Sequence, residues 1–206
     1  MSEPIVVKLG GSYAGTAECE HWLAALDRCR GHAIVVPGGG PFADAVRKAQ
    51  RRMGFHDRAA HHMALLAMEQ YGCALAEPRV GWHMANSLDG IRRVLAEGGL
   101  PVWAPTTMVL AEKDLPACWE LSSDSLAAWL AGKLGVRRLL IVKPVVPSPD
   151  RVSAAALAAA GVVDPLFPRF LGASGTEAYI AGPIDHVPAA AAIRSAAPPG
   201  LRIALP

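Results

Sequence analysis

Ile5-Val6-Val7-Lys8-Leu9-Gly10-Gly11-Ser12 and Ala33-Ile34-Val35-Val36-Pro37-Gly38-Gly39-Gly40-Pro41 decide how this chain folds. Each is a short, continuously apolar run that breaks into glycines. Such a run, rich in β-branched residues, reads as a strand covered on both faces. Pro41 suits the first position of a helix, where its missing N–H costs nothing. Strand, glycine turn and helix in that order put flexible backbone at a helix N-terminus, where N–H groups and a partial positive charge favour anions. One glycine turn is commonly only a turn. Two in tandem, the first with a lysine at its strand's end, predict a place for phosphates.

The pattern continues on both sides of these turns. Helices are expected over Glu18 to Arg28, from Pro41 to Met53, and over Asp57 to Tyr71 with Gly72 as C-terminal cap. Another starts at Ser87 and ends at Gly98-Gly99, and Ser122 or Ser123 caps one that runs to Leu134. Leu100 to Ala104 and Leu139 to Val142 read as strands. Beyond them come a helix near Ser153 to Ala160, a turn at Asp164-Pro165 and a strand near Ala178 to Ile180. A helix near Ala189 to Ala196 and a last strand at Leu201 to Ala204 complete the chain. Strand–helix alternation implies an α/β fold with a mostly parallel sheet and helices on both faces. Ligands of such sheets bind at the carboxyl ends of strands, where both glycine turns fall. No linker or repeat divides the chain, so residues 1–206 are expected to form one domain.

Composition narrows the function. With 52% hydrophobic and 18% charged residues the chain is expected to fold as a globule. Its 206 residues suffice to bury roughly 70% of the unfolded surface. A formal charge of +2 argues against a nucleic-acid-coating protein. The pairs Arg51-Arg52, Arg92-Arg93 and Arg137-Arg138 are scattered and read as solvated helix ends. Cys19, Cys29, Cys73 and Cys118 have no zinc-ligand spacing and look like reduced thiols, as in the cytoplasm. Neither a signal peptide nor a membrane span is expected. Ser12 lacks the partners of an acyl-enzyme nucleophile.

The chemistry-bearing candidates lie around the turns. Lys8 ends an apolar strand; beside Gly10-Gly11-Ser12 its ammonium could neutralise a transferring phosphoryl group, although the spacing is not that of a Walker loop. Lys143, after Leu139-Leu140-Ile141-Val142, occupies an equivalent strand end, and a plain loop lysine accounts for it equally well on local grounds. Asp124 opens a helix, where it is a dipole acid, an organiser of a lysine, or a holder of Mg²⁺. Asp44 and Arg47, one turn apart, form a surface pair or reach a substrate. Of His56, His61 and His62, clustered with Asp57 and Arg58, one could hydrogen-bond a substrate; a metal site is not expected there.

Lys8-Leu9-Gly10-Gly11-Ser12, Pro37-Gly38-Gly39-Gly40-Pro41-Phe42-Ala43-Asp44 and Ser122-Ser123-Asp124-Ser125-Leu126-Ala127, in this order, resemble the amino acid kinase superfamily. The likeness runs from the first strand to about Lys143. It implies a three-layer α/β/α sandwich that transfers the γ-phosphoryl group of ATP with Mg²⁺. Lys8, Asp124 and Lys143 would be catalytic, with Asp124 organising the lysine or the metal. Gly10, Gly11, Ser12, Gly38, Gly39 and Gly40 would hold phosphates. Ala60-His61-His62-Met63-Ala64, Gln70-Tyr71-Gly72, Trp119-Glu120-Leu121-Ser122-Ser123-Asp124 and Val163-Asp164-Pro165 resemble a narrower branch. That branch phosphorylates [5-(aminomethyl)furan-3-yl]methyl phosphate for methanofuran-type cofactors. It implies Asp44, His56, Asp57 and His62 on the substrate, Asp164 and Phe167 near the nucleotide, and a homo-oligomer, dimer or higher. Pro144-Val145-Val146-Pro147 replaces the acidic, glycine-containing turn usual in relatives, and Lys143 is a candidate for the lysine that many of them carry later. A carboxylate kinase forming an acyl phosphate, or a non-catalytic oxyanion binder of the same fold, are the competing readings.

Overall fold

β1 (Ile5–Leu9) is buried along its whole length at the centre of a seven-stranded sheet, as its uninterrupted apolar run requires. The computed structural model describes residues 3–145, 152–195 and 197–205. β2 (Ala33–Pro37) and β5 (Arg138–Val142) flank β1, and both pair with it in parallel. β4 (Leu100–Trp103) and β3 (Trp82–Ala85) extend the sheet beyond β2. β6 (Glu177–Ala181) and the short β7 (Leu201–Arg202) extend it beyond β5. Every pairing is parallel except β6–β7. Neighbouring strands β1, β2 and β5 therefore end on the same edge, and three connecting loops crowd there.

Helices cover both faces. Alternate side chains of a strand point to opposite sides. Val6, Val36 and Ile141 accordingly pack with α6 (Ser123–Leu134) and α8 (Phe167–Ser174). Val7, Val35 and Leu140 pack with α1 (Ala17–Asp27) and α9 (His186–Arg194). Lys8 has Val36 and Ile141 as its lateral partners, a position where a core aliphatic would be expected. α2 (Gly40–Met53) and α3 (Asp57–Ala76) form an antiparallel pair joined by three residues. Their seam is made by Ala43, Val46, Ala60 and Ala67. α4 (Leu88–Ala96), α5 (Thr106–Ala111) and α7 (Ala154–Ala159) complete the described helices.

The sandwich agrees with expectation; several details do not. Gly72 is inside α3, which runs on to Ala76. A Cβ there would lie 3.1 Å from Met84 Cε, 3.2 Å from Val102 Cγ1 and 3.3 Å from Pro37 Cγ. The residue lets helix and sheet approach; it does not end the helix. β3, α5 and α8 are further elements beyond those expected. β3 is short and only half covered, α5 has six residues, and Pro168 sits in the first turn of α8. Val146 and Pro147 lie outside the described residues. Among those described, no helix is long and apolar enough to cross a membrane.

Candidate active site

Three charges meet at the carboxyl edge of the central strands. The Lys8 ammonium lies 2.8 Å from Asp124 Oδ1 and that of Lys143 lies 2.7 Å from Oδ2. Lys8 and Asp124 are 4% and 2% exposed, so little water screens them. Lys143 Nζ donates a well-formed hydrogen bond to Oδ2. The Lys8 contact is ionic by distance, but its angle leaves Oδ1 without a proper hydrogen bond. Two cations against one anion leave the group with a net charge of +1.

Burial drives the Lys8 ammonium down to about 8; Asp124 opposes the fall and Lys143 adds to it. Burial alone would raise the Asp124 carboxyl, yet the two ammonium groups outweigh it and hold the group below the usual carboxylate range. At neutral pH the Lys8 ammonium therefore faces an ionised Asp124 carboxylate. Both carboxylate oxygens face lysines. Of the roles offered to Asp124 by the sequence, organiser of the lysines is the one this geometry suits. Among the described residues no cluster of three metal-ligating side chains occurs.

The glycine turns abut each other. A Cβ on Gly11 would come within 2.3 Å of Gly40 N, and one on Gly38 within 2.4 Å of Gly11 N. Gly38 N–H donates to Leu9 O at 2.9 Å, tying the second turn to the end of β1. Gly40 opens α2 at φ +51°, a left-handed conformation that favours glycine. These residues are small because two backbones touch, a demand that exists before any ligand binds. Gly10 departs from its expected phosphate role. Its N–H goes to Val142 O at 3.3 Å, and it does not line the cavity.

A cavity of about 310 Å³ opens beside the three charges. Gly11, Ser12 and Gly38 to Gly40 line one side with the N-terminus of α2, and Ser122 to Asp124 bring the N-terminus of α6. The α2 end adds positive potential and unpaired N–H groups to the ammoniums, whereas the first-turn donors of α6 are largely taken up by Ser122 and Asp164. The far wall comes from the α2–α3 pair and the segment before α6. There Arg47 stacks 4.5 Å above the Trp119 ring and pairs with Asp44 at 3.0 Å. Trp119 Nε1–H donates to Gln50 Oε1 at 2.7 Å, which orients the indole.

The structure sorts the remaining candidates. Asp44 lines the cavity. His56 and His62 are exposed and do not line it, whereas the buried His61 does. Burial lowers the His61 imidazole, a backbone hydrogen bond at Cys118 opposes this, and His62 reinforces it. Exposed Asp57 accepts a 2.7 Å hydrogen bond from Gln50 and is likewise away from the cavity. Phe167 is fully buried in the core. Asp164 is 8% exposed, with its carboxylate turned to the start of α6. Neither lines the cavity, because packing and capping consume their side chains. Trp119 was missed as a wall residue; only the fold brings it to α2.

A sequence model described as the amino acid kinase family matches residues 3–146. A [5-(aminomethyl)furan-3-yl]methyl phosphate kinase of Methanocaldococcus jannaschii is 28% identical over 145 residues, covering 68% of this chain. The match spans 65% of that relative's length. The uridylate kinase of Archaeoglobus fulgidus superposes with a TM-score of 0.71 at 16% identity, covering 98% of this chain and all of the other. UMP kinase of Ureaplasma parvum gives 0.70 at 13% identity, over 99% of this chain and all of its own. At such identities the superpositions speak to the fold.

Proposed function

The chain belongs to the amino acid kinase family, and on that premise we propose that it transfers the γ-phosphoryl group of ATP to a small phosphate monoester. The acceptor we infer is [5-(aminomethyl)furan-3-yl]methyl phosphate, the substrate in the name of the Methanocaldococcus relative. One observation carries the reading: a buried and a partly buried ammonium share one carboxylate beside two helix N-termini and touching glycine turns. This array suits the negative charge of a migrating phosphoryl group.

In the reaction an oxygen of the acceptor phosphate attacks the γ-phosphorus in line. The bond from that phosphorus to the β–γ bridging oxygen breaks, and ADP leaves. Lys8 and Lys143 balance charge on the phosphoryl oxygens, and Asp124 holds both lysines aligned. Gly11, Ser12, Gly38, Gly39 and Gly40 provide the phosphate cradle. Mg²⁺, carried with the nucleotide substrate, would supply charge shielding to its phosphates. A monoester's phosphate oxygens are already deprotonated at neutral pH, so no general base is required.

On the acceptor side Arg47 is the cation available to a second phosphate, and Asp44 the carboxylate available to an aminomethyl group. A single domain over residues 1–206, which the one continuous sheet supports, in a cytoplasmic homo-oligomer completes the proposal. Coupled ADP release with the furan phosphate, isopentenyl phosphate and N-acetylglutamate as rival acceptors tests it. Fastest turnover on the furan phosphate is expected. Turnover on N-acetylglutamate alone would replace the phosphate acceptor with a carboxylate.

A further inference from the structure

We propose that Asp164 is a positioning residue for phosphoryl transfer: it locks the first turn of α6 and thereby aims Asp124 at the two lysines. It lies beyond the 3–146 stretch that carries the family likeness, and its role is independent of the acceptor's identity.

The geometry is specific. Asp164 Oδ2 accepts from Ser122 N–H at 3.1 Å, from the Ser122 hydroxyl at 2.7 Å and from Ser125 N–H at 3.0 Å. Its Oδ1 accepts from the Ser125 hydroxyl and from Leu166 N–H at 3.1 Å. Five donors thus converge on one buried carboxylate. Four of them belong to residues on either side of Ser123-Asp124. The first turn of a helix has backbone donors with no intrahelical partner. A side-chain cap usually comes from the N-cap residue itself. Here Ser122 lies 3.4 Å from Asp124 N, a long contact, and a carboxylate forty-two residues along the chain at one hydrogen bond takes over.

The consequence falls on Asp124. Its neighbours Ser122 and Ser125 are both anchored to Asp164, so the backbone between them has little freedom to turn. Asp124 must present one oxygen to each of two ammoniums that come from different strands. Without the latch, the first turn frays and the carboxylate drops one partner. A misplacement of about 1 Å at a reacting centre is sufficient to cost on the order of 10²-fold in rate.

The test is Asp164→Asn in the full chain. Steady-state turnover is followed with MgATP and the furan phosphate. Should the protein use another acceptor, acceptor-free MgATP hydrolysis serves as the same readout, which separates failure of the acceptor assignment from failure of the latch. The expected result is a kcat lower by roughly 10- to 100-fold with the KM for ATP within about threefold. A second arm combines Asp164→Asn with Asp124→Asn: the double variant should be no slower than Asp124→Asn alone, because the latch acts through that carboxylate. Multiplying losses, a change confined to KM, or an unchanged kcat in folded protein would each overturn the proposal. If Asp164→Asn does not fold, Ser125→Ala removes a single donor and should lower kcat by roughly three- to tenfold. A folded Ser125→Ala with unaltered kcat would also overturn it.

Discussion

The two ends of the cavity are built on opposite principles. At one end Lys8 and Asp124 are buried, Lys143 is largely covered, and the three are mutually paired and supported by strands, helix ends and abutting backbone. At the other, Asp44 and Arg47 are roughly half exposed or more and lean on Trp119, itself held by Gln50. Groups that must meet a migrating charge gain from burial, since low dielectric strengthens every interaction and leaves nothing to reorganise. Groups that choose a partner can sit on a helix surface, where substitution disturbs no core. On the proposed function, the chemistry is thus tied to the sheet and the choice of acceptor to the α2–α3 pair.

Substitutions at the two ends should therefore separate. The greatest effect is expected for Lys8→Ala, which should lower kcat by about 10² or more. Near-normal turnover in a folded variant would dissolve the distinction. Gly11→Ala comes next. Its Cβ would fall 2.3 Å from Gly40 N, an overlap that should cost roughly 1–3 kcal/mol or more, read as a lowered denaturation midpoint without ligand. An unaffected midpoint would mean that the loops part easily. Arg47→Ala and Trp119→Ala should raise the acceptor KM roughly tenfold, a loss of about 1.4 kcal/mol of uniform binding, with kcat nearly intact. A fall in kcat alone would assign the wall to the chemical step.

The gentlest test is pH. Because burial lowers Lys8 to about 8, kcat/KM should decline as pH rises through that value and the ammonium is lost. The Lys8 contribution to stability should move the other way. The unfolded lysine keeps its proton up to its ordinary value near 10.5, so between about 8 and 10.5 the unfolded state binds more protons and this group's contribution to folding stability increases with pH. The buried Cys29 thiol, raised to about 11, pulls total stability downward over the same interval, so the lysine is read by difference: a Lys8→Met variant whose stability follows the same pH slope as the unaltered protein would argue against a depressed lysine.

Much of this was legible in the residues. Continuous apolar runs gave away the parallel strands, and Lys8 stood out because of the glycine turn beside it, whereas Lys143 and Asp124 each had an ordinary local explanation, a loop lysine and a helix-dipole acid, until the three family motifs were taken together. Other features depended on rotation or on distance. His61 and His62 are adjacent in sequence, and about 100° of helical turn decides which of them faces the cavity. Asp164 read as part of a turn before a proline; its true partners are far away in sequence and no local pattern announces them. Gly72 mimics a helix terminator, and only the packing of Met84, Val102 and Pro37 explains why it stays helical. β3 escaped because His83 breaks the apolar run on an edge strand.

The central placement of β1 has a consequence for how the protein is made. One flank of β1 finds its partner within some thirty residues, but the other waits for β5, whose residues come more than a hundred positions later. During synthesis the growing chain must carry an apolar strand with one open ladder and an uncompensated lysine until the distal half emerges. Long-range closures of this kind are slow. The nascent polypeptide is therefore exposed to illicit strand pairing until β5 emerges, after the counter-ion Asp124 has already been made.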